Sequence, residues 1–212
     1  MAATGAKTER RHVQGDESRD RIVDAATEIA SARGYHGTSI AAVSKLSGLP
    51  ASSIYWHFGD KDGLIAAVIR RSFDSWLQSN MHLGLRTSGI EPRHHLTASM
   101  RHQAEALVAN PEFLRLGLML ALERNPTEPS ARAMFLEVRA HSLAALVEGF
   151  DRMLTDVHGA SDPVRARRIA TIAMAGADGL FIAHQVNPDA IELDVEFGIL
   201  AEMIWSSLSS PA

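Results

Sequence analysis

Apolar side chains recur every three or four residues along most of the chain, which is the spacing of one face of an α-helix. In the first such segment Ile22, Ala26 and Ile29 follow this spacing, and Ser18 before them is a suitable N-cap. No segment has the β-branched alternation with an Asn-Gly or Asp-Gly turn that a hairpin requires. The pattern therefore predicts an all-α fold.

Glycine and proline residues mark the ends of the predicted helices. Gly34, Gly48 and Gly59 are expected to end the first three, because glycine readily adopts the left-handed conformation at a helix carboxyl end. Prolines and acidic residues mark the starts of the later helices. The predicted helices cover about 18–32, 40–47, 51–57, 61–77, 92–109, 111–124, 129–157, 163–186 and 195–208, with short linkers at 87–90, 125–127 and 159–162.

The helices group into two predicted domains. A flexible arm is expected at 1–15, a small helical domain at 16–70 and a larger helical domain at 71–212, with the boundary inside the fourth helix near Arg70 and Arg71. Charge divides in the same way: residues 1–62 contain eight basic and eight acidic residues, so the net charge of −4 belongs to the remainder. Only residues 1–62, which have no net negative charge, are suited to bind a polyanion such as DNA.

Composition excludes several classes of protein. A chain of 212 residues with 46% apolar and 22% charged side chains can bury a sizeable core. It has no cysteine, which excludes disulfides, thiolate metal sites and cysteine nucleophiles, and we expect neither cofactor nor metal. No apolar run reaches the roughly 18 uncharged residues of a membrane span, and the first residues are polar, so a cytoplasmic protein is expected.

Three short helices, the last two joined by a glycine-containing turn, predict a helix-turn-helix that presents its second helix to the DNA major groove. At about 100° per residue, Ile54 and Phe58 form the buried edge of that helix, and Ser52 and Trp56 lie opposite. Tyr55 lies between these faces. Exposed aromatic side chains on so short a helix favour a partner that covers them, and DNA fits their hydrogen-bonding groups. The alternative is that Tyr55 and Trp56 pack against the fourth helix.

Three stretches of this region occur in a fixed order and spacing: GYHGTSI at 34–40, SGL at 47–49 and IYWHFGDKDGL at 54–64. From about Arg19 to Val68 the chain resembles the amino-terminal DNA-binding domain of the tetracycline-repressor (TetR) family. The resemblance implies a homodimeric bacterial transcription factor, usually a repressor. Its carboxy-terminal helical domain would bind a small-molecule inducer and dimerise through its last two helices.

Carried over by position, the resemblance implies DNA-facing roles for Ser39, Ala51, Ser52, Ser53, Tyr55, Trp56, His57 and Lys61. The sequence departs from the family pattern in two places. Pro50-Ala51 begins the recognition helix, where Ala51 offers only a methyl group, suited to thymine. Asp62-Gly63 stands where Glu or a bulkier residue is usual.

The last two helices predict a dimer without the resemblance. The final helix has two apolar stripes, of which one can meet the protein's own core and the other a second subunit. The preceding helix is rich in small residues, which permits close approach; the alternative is a tight pair within one chain. The predicted interface residues are Ala173, Ala177, Leu180, Phe181, His184, Val195, Ile199 and Met203, and Asp178 is expected to form an interface hydrogen bond.

A ligand pocket is predicted where apolar faces of the middle helices converge. Met and aromatic residues at helical spacing are also typical of ordinary core, so the two interpretations stay open. The candidate pocket residues are Trp76, Met100, Phe113, Leu116, Met119, Leu120, Met134, Phe135 and Leu143.

The function predicted from these features is a repressor that leaves a near-palindromic operator when an apolar or amphipathic molecule binds. One alternative is an effector-independent or activating DNA-binding dimer whose larger domain only dimerises or docks a protein. Another is an all-α enzyme with an incidental helix-turn-helix. The chain has no G-x-S-x-G, P-loop, G-x-G-x-x-G or H-E-x-x-H motif, so a non-enzyme is expected.

Overall fold

A computed structural model describes residues 3–80, 91–122 and 129–211, and every regular element in these ranges is a helix. The predicted all-α fold is confirmed. The helices are α1 (Ala3–Gly37), α2 (Ile40–Ser47), α3 (Ala51–Phe58), α4 (Lys61–Asn80), α5 (Pro92–Ala109), α6 (Glu112–Leu122), α7 (Pro129–His158), α8 (Pro163–Val186) and α9 (Leu193–Ser209).

Most helix ends lie within a few residues of their predicted positions. The largest difference is in α1, whose backbone is helical from Ala3 instead of Ser18. Gly34 interrupts α1 with φ 67° and ψ −174°, so the regular helix stops where the sequence predicts, although a further turn follows. The predicted linkers at 87–90 and 125–127 lie outside the described residues. The linker at 159–162 is present between α7 and α8.

The chain forms two compact units. The first unit contains Met1–Ser72 and Glu112–Leu136, and the second contains Phe73–Pro111 and Glu137–Ala212. The predicted boundary near Arg70 and Arg71 is close to the division inside α4, but α6 and the start of α7 pack with the amino-terminal helices. As functional domains, the arm at 1–15 and the ranges 16–70 and 71–212 stay predictions.

In the first unit, aliphatic side chains of α1, α3 and α4 form the core, with Ile22, Ile54 and Ile65 fully buried. Helix α6 packs against α1, where Ser31 Oγ donates to Glu112 Oε1 over 2.7 Å. The Arg115 guanidinium donates to the backbone carbonyls of Ala30 and Ser31. These bonds supply partners for carbonyl groups near the interruption of α1, where the helical bonding pattern is lost.

In the second unit, α9 packs along both α5 and α8. One predicted stripe of α9 is the core stripe, with these residues buried: Phe197, Leu200, Ile204 and Leu208. Gly176 lets α8 approach closely, because a Cβ atom added there would lie 3.0 Å from Leu200 Cδ1. At the end of α9, Arg165 donates to the carbonyls of Ser207 and Ser210 over 2.6 Å, which satisfies last-turn carbonyl groups.

Helix α8 is unusual in being both apolar and exposed. Within the described ranges it is the helix that by length and composition alone could cross a membrane, although core helices of soluble proteins pass the same test. Only 22% of its apolar segment is buried in this chain. Its one carboxylate, Asp178, pairs with Arg139 of α7 over 2.8 Å between Nη1 and Oδ1. A large apolar surface of α8 is therefore left without a partner among the residues that the structure describes.

Candidate DNA-binding surface

The turn between α2 and α3 is held by hydrogen bonds from three directions. Ser44 Oγ donates to the Leu49 carbonyl over 2.7 Å, and the Leu49 amide donates to Ser47 Oγ over 3.3 Å. Arg21 of α1 donates to the Ser47 carbonyl over 2.7 Å. Gly48, with φ 68°, takes the left-handed conformation that closes α2. These contacts fix the direction in which α3 leaves α2.

Helix α3 presents the faces that its sequence predicts. Ile54 is fully buried, whereas Trp56 is 78% and Tyr55 is 53% exposed, so the alternative of packing against the fourth helix is wrong for both. Phe58 is partly buried beneath the Arg19 guanidinium, which lies 5.4 Å from the ring centroid. The His57 ring stands edge-on to Trp56 at 4.5 Å between centroids. The exposed face of α3 is therefore aromatic and hydroxylic.

The other predicted DNA-facing residues differ in how accessible they are. Ser39 and Ser52 are exposed, and Ser39 also caps α2 by accepting from the Ala42 amide over 3.2 Å. Four predicted residues are partly buried: Ala51, Ser53, His57 and Lys61. The Lys61 ammonium lies 4.0 Å from the centre of the Tyr35 ring, so its charge is directed partly at that ring. Whether these side chains contact DNA stays a prediction.

The sequence interpretation missed Lys45, an exposed cation on the last turn of α2. It lies a few residues before the turn that leads to α3, and a lysine at this place can meet a phosphate. Lys45 could have been identified as a candidate from the sequence, since it is one of three lysines in the chain and the only one on α2.

The departure from the family pattern at Asp62-Gly63 has a structural reason. A Cβ atom at Gly63 would collide with the backbone carbonyl oxygen of Phe58, so α4 begins too close to the end of α3 for any larger residue. The Gly63 amide donates to Asp60 Oδ1 over 2.8 Å, which caps α4. Asp62 is buried and accepts hydrogen bonds from the Ser130 and Ala131 amides at the start of α7.

The predicted interface residues fall into two groups. Three are exposed on α9: Val195, Ile199 and Met203. Ala173 and Phe181 instead lie in the core of the protomer, because the inward face of α8 packs within its own chain. Three more are partly buried: Ala177, Leu180 and His184. His184 Nδ1 lies 2.9 Å from the carbonyl of Ile191 in the same chain.

The apolar surface of α8 lies on its other side. It carries Val164, Ile172, Ile182 and Val186, with the small residues Ala175 and Gly179 between them, all exposed. We call these the α8 stripe, and Val195, Ile199 and Met203 the α9 stripe. Asp178 was expected to bond across an interface, but it pairs with Arg139 of the same chain; burial raises the pKa of its carboxyl group, and the Arg139 charge opposes that rise.

The candidate pocket residues are divided between the two units. Trp76, Met100 and Leu143 belong to the second unit, and the rest belong to the first: Phe113, Leu116, Met119, Leu120, Met134 and Phe135. Within the first unit the Phe135 ring packs directly against Gly117, so that α6 and α7 approach closely there. Met119 is exposed, whereas Met100, Phe113, Leu116, Leu120 and Phe135 are buried. Ligand binding by these residues stays a prediction.

Residues 22–68 match the family model described as bacterial regulatory proteins of the tetR family. The matched range contains the last part of α1, the turn between α2 and α3, the exposed face of α3 and the start of α4.

Two curated relatives extend beyond this range. The chain is 30% identical over 110 residues to the transcriptional repressor NicS of Pseudomonas putida, which covers 52% of this chain and 51% of NicS. It is 29% identical over 201 residues to the transcriptional activator FasR of Mycolicibacterium smegmatis, covering 92% of this chain and 84% of FasR.

A crystal structure of a transcriptional regulator from Rhodococcus sp. Rha1 has the same fold, with a TM-score of 0.71 and 22% identity over 92% of this chain and 99% of that one. The similar proteins are regulators of transcription and not enzymes. The helix-turn-helix geometry and the family match together identify residues 22–68 as a DNA-binding domain of the tetR family, and the relatives that match more of the chain are regulators of transcription.

Proposed function

We propose that this regulator is a homodimeric repressor that binds a near-palindromic operator through α3 and leaves it when a small apolar or amphipathic molecule binds to the carboxy-terminal helices. The observation that carries the DNA-binding part is the exposure of Trp56 and Tyr55 on a helix whose opposite side is anchored by Ile54. A regulator of this kind works in the cytoplasm, where the DNA lies.

The chemistry of α3 suits a small number of phosphate and base contacts. The Trp56 indole N–H and the Tyr55 hydroxyl can donate to phosphate oxygens, and the Ser52 hydroxyl can meet a phosphate or a base edge. The cations described next to α3 are few: Lys45 and Arg19 are exposed, with the Arg19 guanidinium also covering Phe58, and Lys61 lies near Tyr35. Fewer phosphate contacts release fewer counterions, so a modest salt dependence for each half-site is expected.

The α8 and α9 stripes support the dimer. Isolated exposed apolar residues are ordinary on protein surfaces, but a stripe along a whole helix marks a contact. Small residues in the α8 stripe let a second helix approach closely. A two-fold dimer presents two copies of α3 to successive major grooves about 34 Å apart, which is why the operator is expected to be near-palindromic.

The effector part of the proposal depends on the apolar character of α6 and α7. Leu116, Leu120 and Phe135 are buried in the first unit, and the family resemblance implies an inducer bound by helices of this part of the chain. An effector shifts DNA binding only through its different affinity for the two states, typically by about 1 to 3 kcal/mol.

The test of DNA binding uses duplexes from the region upstream of the gene that encodes this chain. Fluorescence anisotropy measures their affinity for the protein at several salt concentrations. The wild-type dimer is expected to bind one duplex at least about a thousandfold more tightly than a scrambled one, as specific regulators do. Equal affinity for both duplexes would overturn the proposal.

Trp56→Ala tests whether α3 makes the contact. A uniform loss of affinity across sequences indicates a phosphate contact, and a changed sequence preference indicates a base contact. The matched control is Leu122→Ala, since Leu122 is equally exposed in the same unit but lies on α6. An unchanged affinity in Trp56→Ala would place the DNA contact elsewhere.

Activation instead of repression is the second candidate, because FasR carries the name of an activator and matches over most of the chain. A reporter gene behind the identified operator distinguishes the two. Deleting the regulator raises expression if it is a repressor and lowers expression if it is an activator. A ligand screen by thermal shift then tests for the effector, since binding raises the melting temperature with concentration.

A further inference from the structure

Two side chains of α4 cap helices that lie much later in the sequence. Asp62 Oδ2 accepts from the Ser130 amide over 2.7 Å, and Asp62 Oδ1 accepts from the Ala131 amide over 3.2 Å. Ser72 Oγ accepts from the Phe113 amide over 3.3 Å at the start of α6. All of these residues belong to the first unit. Helix α4 is therefore hydrogen-bonded to the first turns of both α6 and α7.

Asp62 is the stronger of these two caps because it carries charge. Its residue is only 8% exposed, and burying a carboxylate is costly unless it is well compensated. Two backbone amides and the positive end of α7 supply that compensation. Proposed DNA contacts do not use this carboxylate, since it is turned into the unit. Any role of Asp62 in operator binding must therefore act through the residues that it contacts, and not through DNA directly.

The position of Asp62 gives it such contacts. The next residue, Gly63, lies against the carbonyl of Phe58, the last residue of the recognition helix. The start of α4 is thus in direct contact with α3 on one side and hydrogen-bonded to α7 on the other. Helix α7 continues through residue 158, beyond the first unit. A displacement of its first turn can act on the start of α4 through the Asp62 carboxylate.

We propose that Asp62 is a positioning residue through which the first turn of α7 and the recognition helix change position together. It rests on the proposed function, because its test compares hydrogen exchange with and without bound operator DNA. The coupling runs in both directions: what moves α7 alters DNA affinity, and DNA binding alters the stability of the first turn of α7. A cap that only stabilises α7 would protect this turn equally with and without DNA.

Hydrogen exchange measured by mass spectrometry on the full-length protein separates these two roles. The probe is the operator duplex that the anisotropy experiment identifies. Its concentration is set so that each variant is fully bound, as anisotropy shows. In wild type, DNA is expected to slow exchange of the Ser130 and Ala131 amides by at least about fivefold, the lower end of usual coupling between sites. In Asp62→Ala the same amides exchange faster without DNA, and the DNA-dependent slowing disappears.

Asp60→Ala is the matched control, because it removes a carboxylate two positions earlier that caps only α4 itself. It is expected to keep the slowing at Ser130 and Ala131. Asp62→Asn keeps one carbonyl acceptor without the charge and is expected to retain part of the slowing. It also serves as the test if Asp62→Ala does not fold.

The hydrogen-exchange results distinguish the positioning role of Asp62 from a purely stabilising one. Slowing that persists in a folded Asp62→Ala variant, or that is absent in DNA-bound wild type, overturns the positioning role while leaving DNA binding intact. Slowing lost in both Asp60→Ala and Asp62→Ala also overturns it, since the effect would then belong to the whole junction. Absence of specific DNA binding by wild type overturns the proposed function itself, and the positioning role with it.

Discussion

Gly63 lies where α4 leaves the recognition helix, and the smallest possible side chain is required there. Gly63→Ala places a methyl group against the carbonyl oxygen of Phe58, a backbone atom that can yield only if α3 moves. We expect a loss of about 1 to 3 kcal/mol in the free energy of unfolding, as in other overpacked sites. Urea denaturation followed by circular dichroism measures it, and operator affinity should fall as well.

Gly149→Ala is the control for this substitution. Gly149 lies inside α7, and the nearest atom to an added methyl group is Arg152 Nη2 at 4.0 Å. Alanine favours a helix over glycine by about 1 kcal/mol, so this variant should be more stable than wild type. If both variants were equally stabilised, the close approach at Gly63 would not restrict the chain.

Glu202 on α9 gives a pH dependence with a defined sign. Its hydrogen bond to Arg93, together with the Arg93 charge, holds its pKa below the ordinary value of 4.5. A lowered pKa in the folded state stabilises the protein above pH 4.5, and that contribution is lost as the pH falls through the lowered pKa. Glu202→Gln should therefore be less stable than wild type at pH 7, with a gap that closes in acid.

Thermal melts of both proteins between pH 7 and pH 3 would measure this gap. The effect is expected to be small, because the pair is exposed to solvent. Glu148→Gln is the comparison, since Glu148 lies 4.0 Å from Arg152 on the surface of α7. A gap for Glu202→Gln that stayed constant or widened in acid would show that the Arg93 pair does not cause it.

At the scale of elements, the packing of α8 on α9 depends on Gly176. Its missing side chain leaves room for Leu200, which would lie 3.0 Å from an added Cβ. Gly176→Val should separate the two helices and cost about 1 to 3 kcal/mol of stability. The measurement is the urea midpoint, and Gly176→Val with Leu200→Ala should recover part of the loss. No recovery in the double variant would assign the loss to another contact.

The helices were predictable because each one repeats apolar residues at its own period, a local signal that needs no tertiary information. The buried and exposed faces of α3 were predictable for the same reason, since angles around a short helix follow from residue numbers alone. The start of α1 was not, because Ser18 is a good cap that the chain does not use as one. Propensity is a weak guide when a helix can continue on either side.

The two faces of α8 were confused for a different reason. Small and apolar residues occur on both sides of this helix, so periodicity does not say which side meets the protein's own core. Ala173 and Phe181 were expected at an interface and are buried in the protomer, whereas Ile172 and Ile182 are exposed. The hydrogen bond from the Ser130 amide to the Asp62 carboxylate also could not be predicted from the sequence, because the two residues are 68 positions apart.

At the scale of the whole molecule, the α8 stripe is the surface on which the proposed dimer depends. Ile172 is 67% exposed near the middle of this stripe. Ile172→Glu would bury a charge against apolar residues of the second subunit, so dimerisation should weaken strongly. Sedimentation velocity should show a monomer at concentrations where wild type is a dimer. Operator affinity should fall with it, although α3 is unchanged.

Val108→Glu is the control, because Val108 is exposed on α5, outside both stripes. It is expected to remain a dimer with unchanged affinity. If Ile172→Glu also remained a dimer, the α8 stripe would not be the interface, and the apolar surface of α8 would need another partner.

The exposed stripe of α8 also has a consequence for gene dosage. When a regulator assembles from two identical chains and monomers predominate, the amount of dimer varies with the square of chain concentration, so halving expression lowers it about fourfold. Operator occupancy then responds steeply to small changes in synthesis or degradation. If the α8 stripe forms the proposed dimer interface, weakening one apolar contact on α8 raises the cellular amount of regulator at which the operator fills, without any change in the residues proposed to contact DNA.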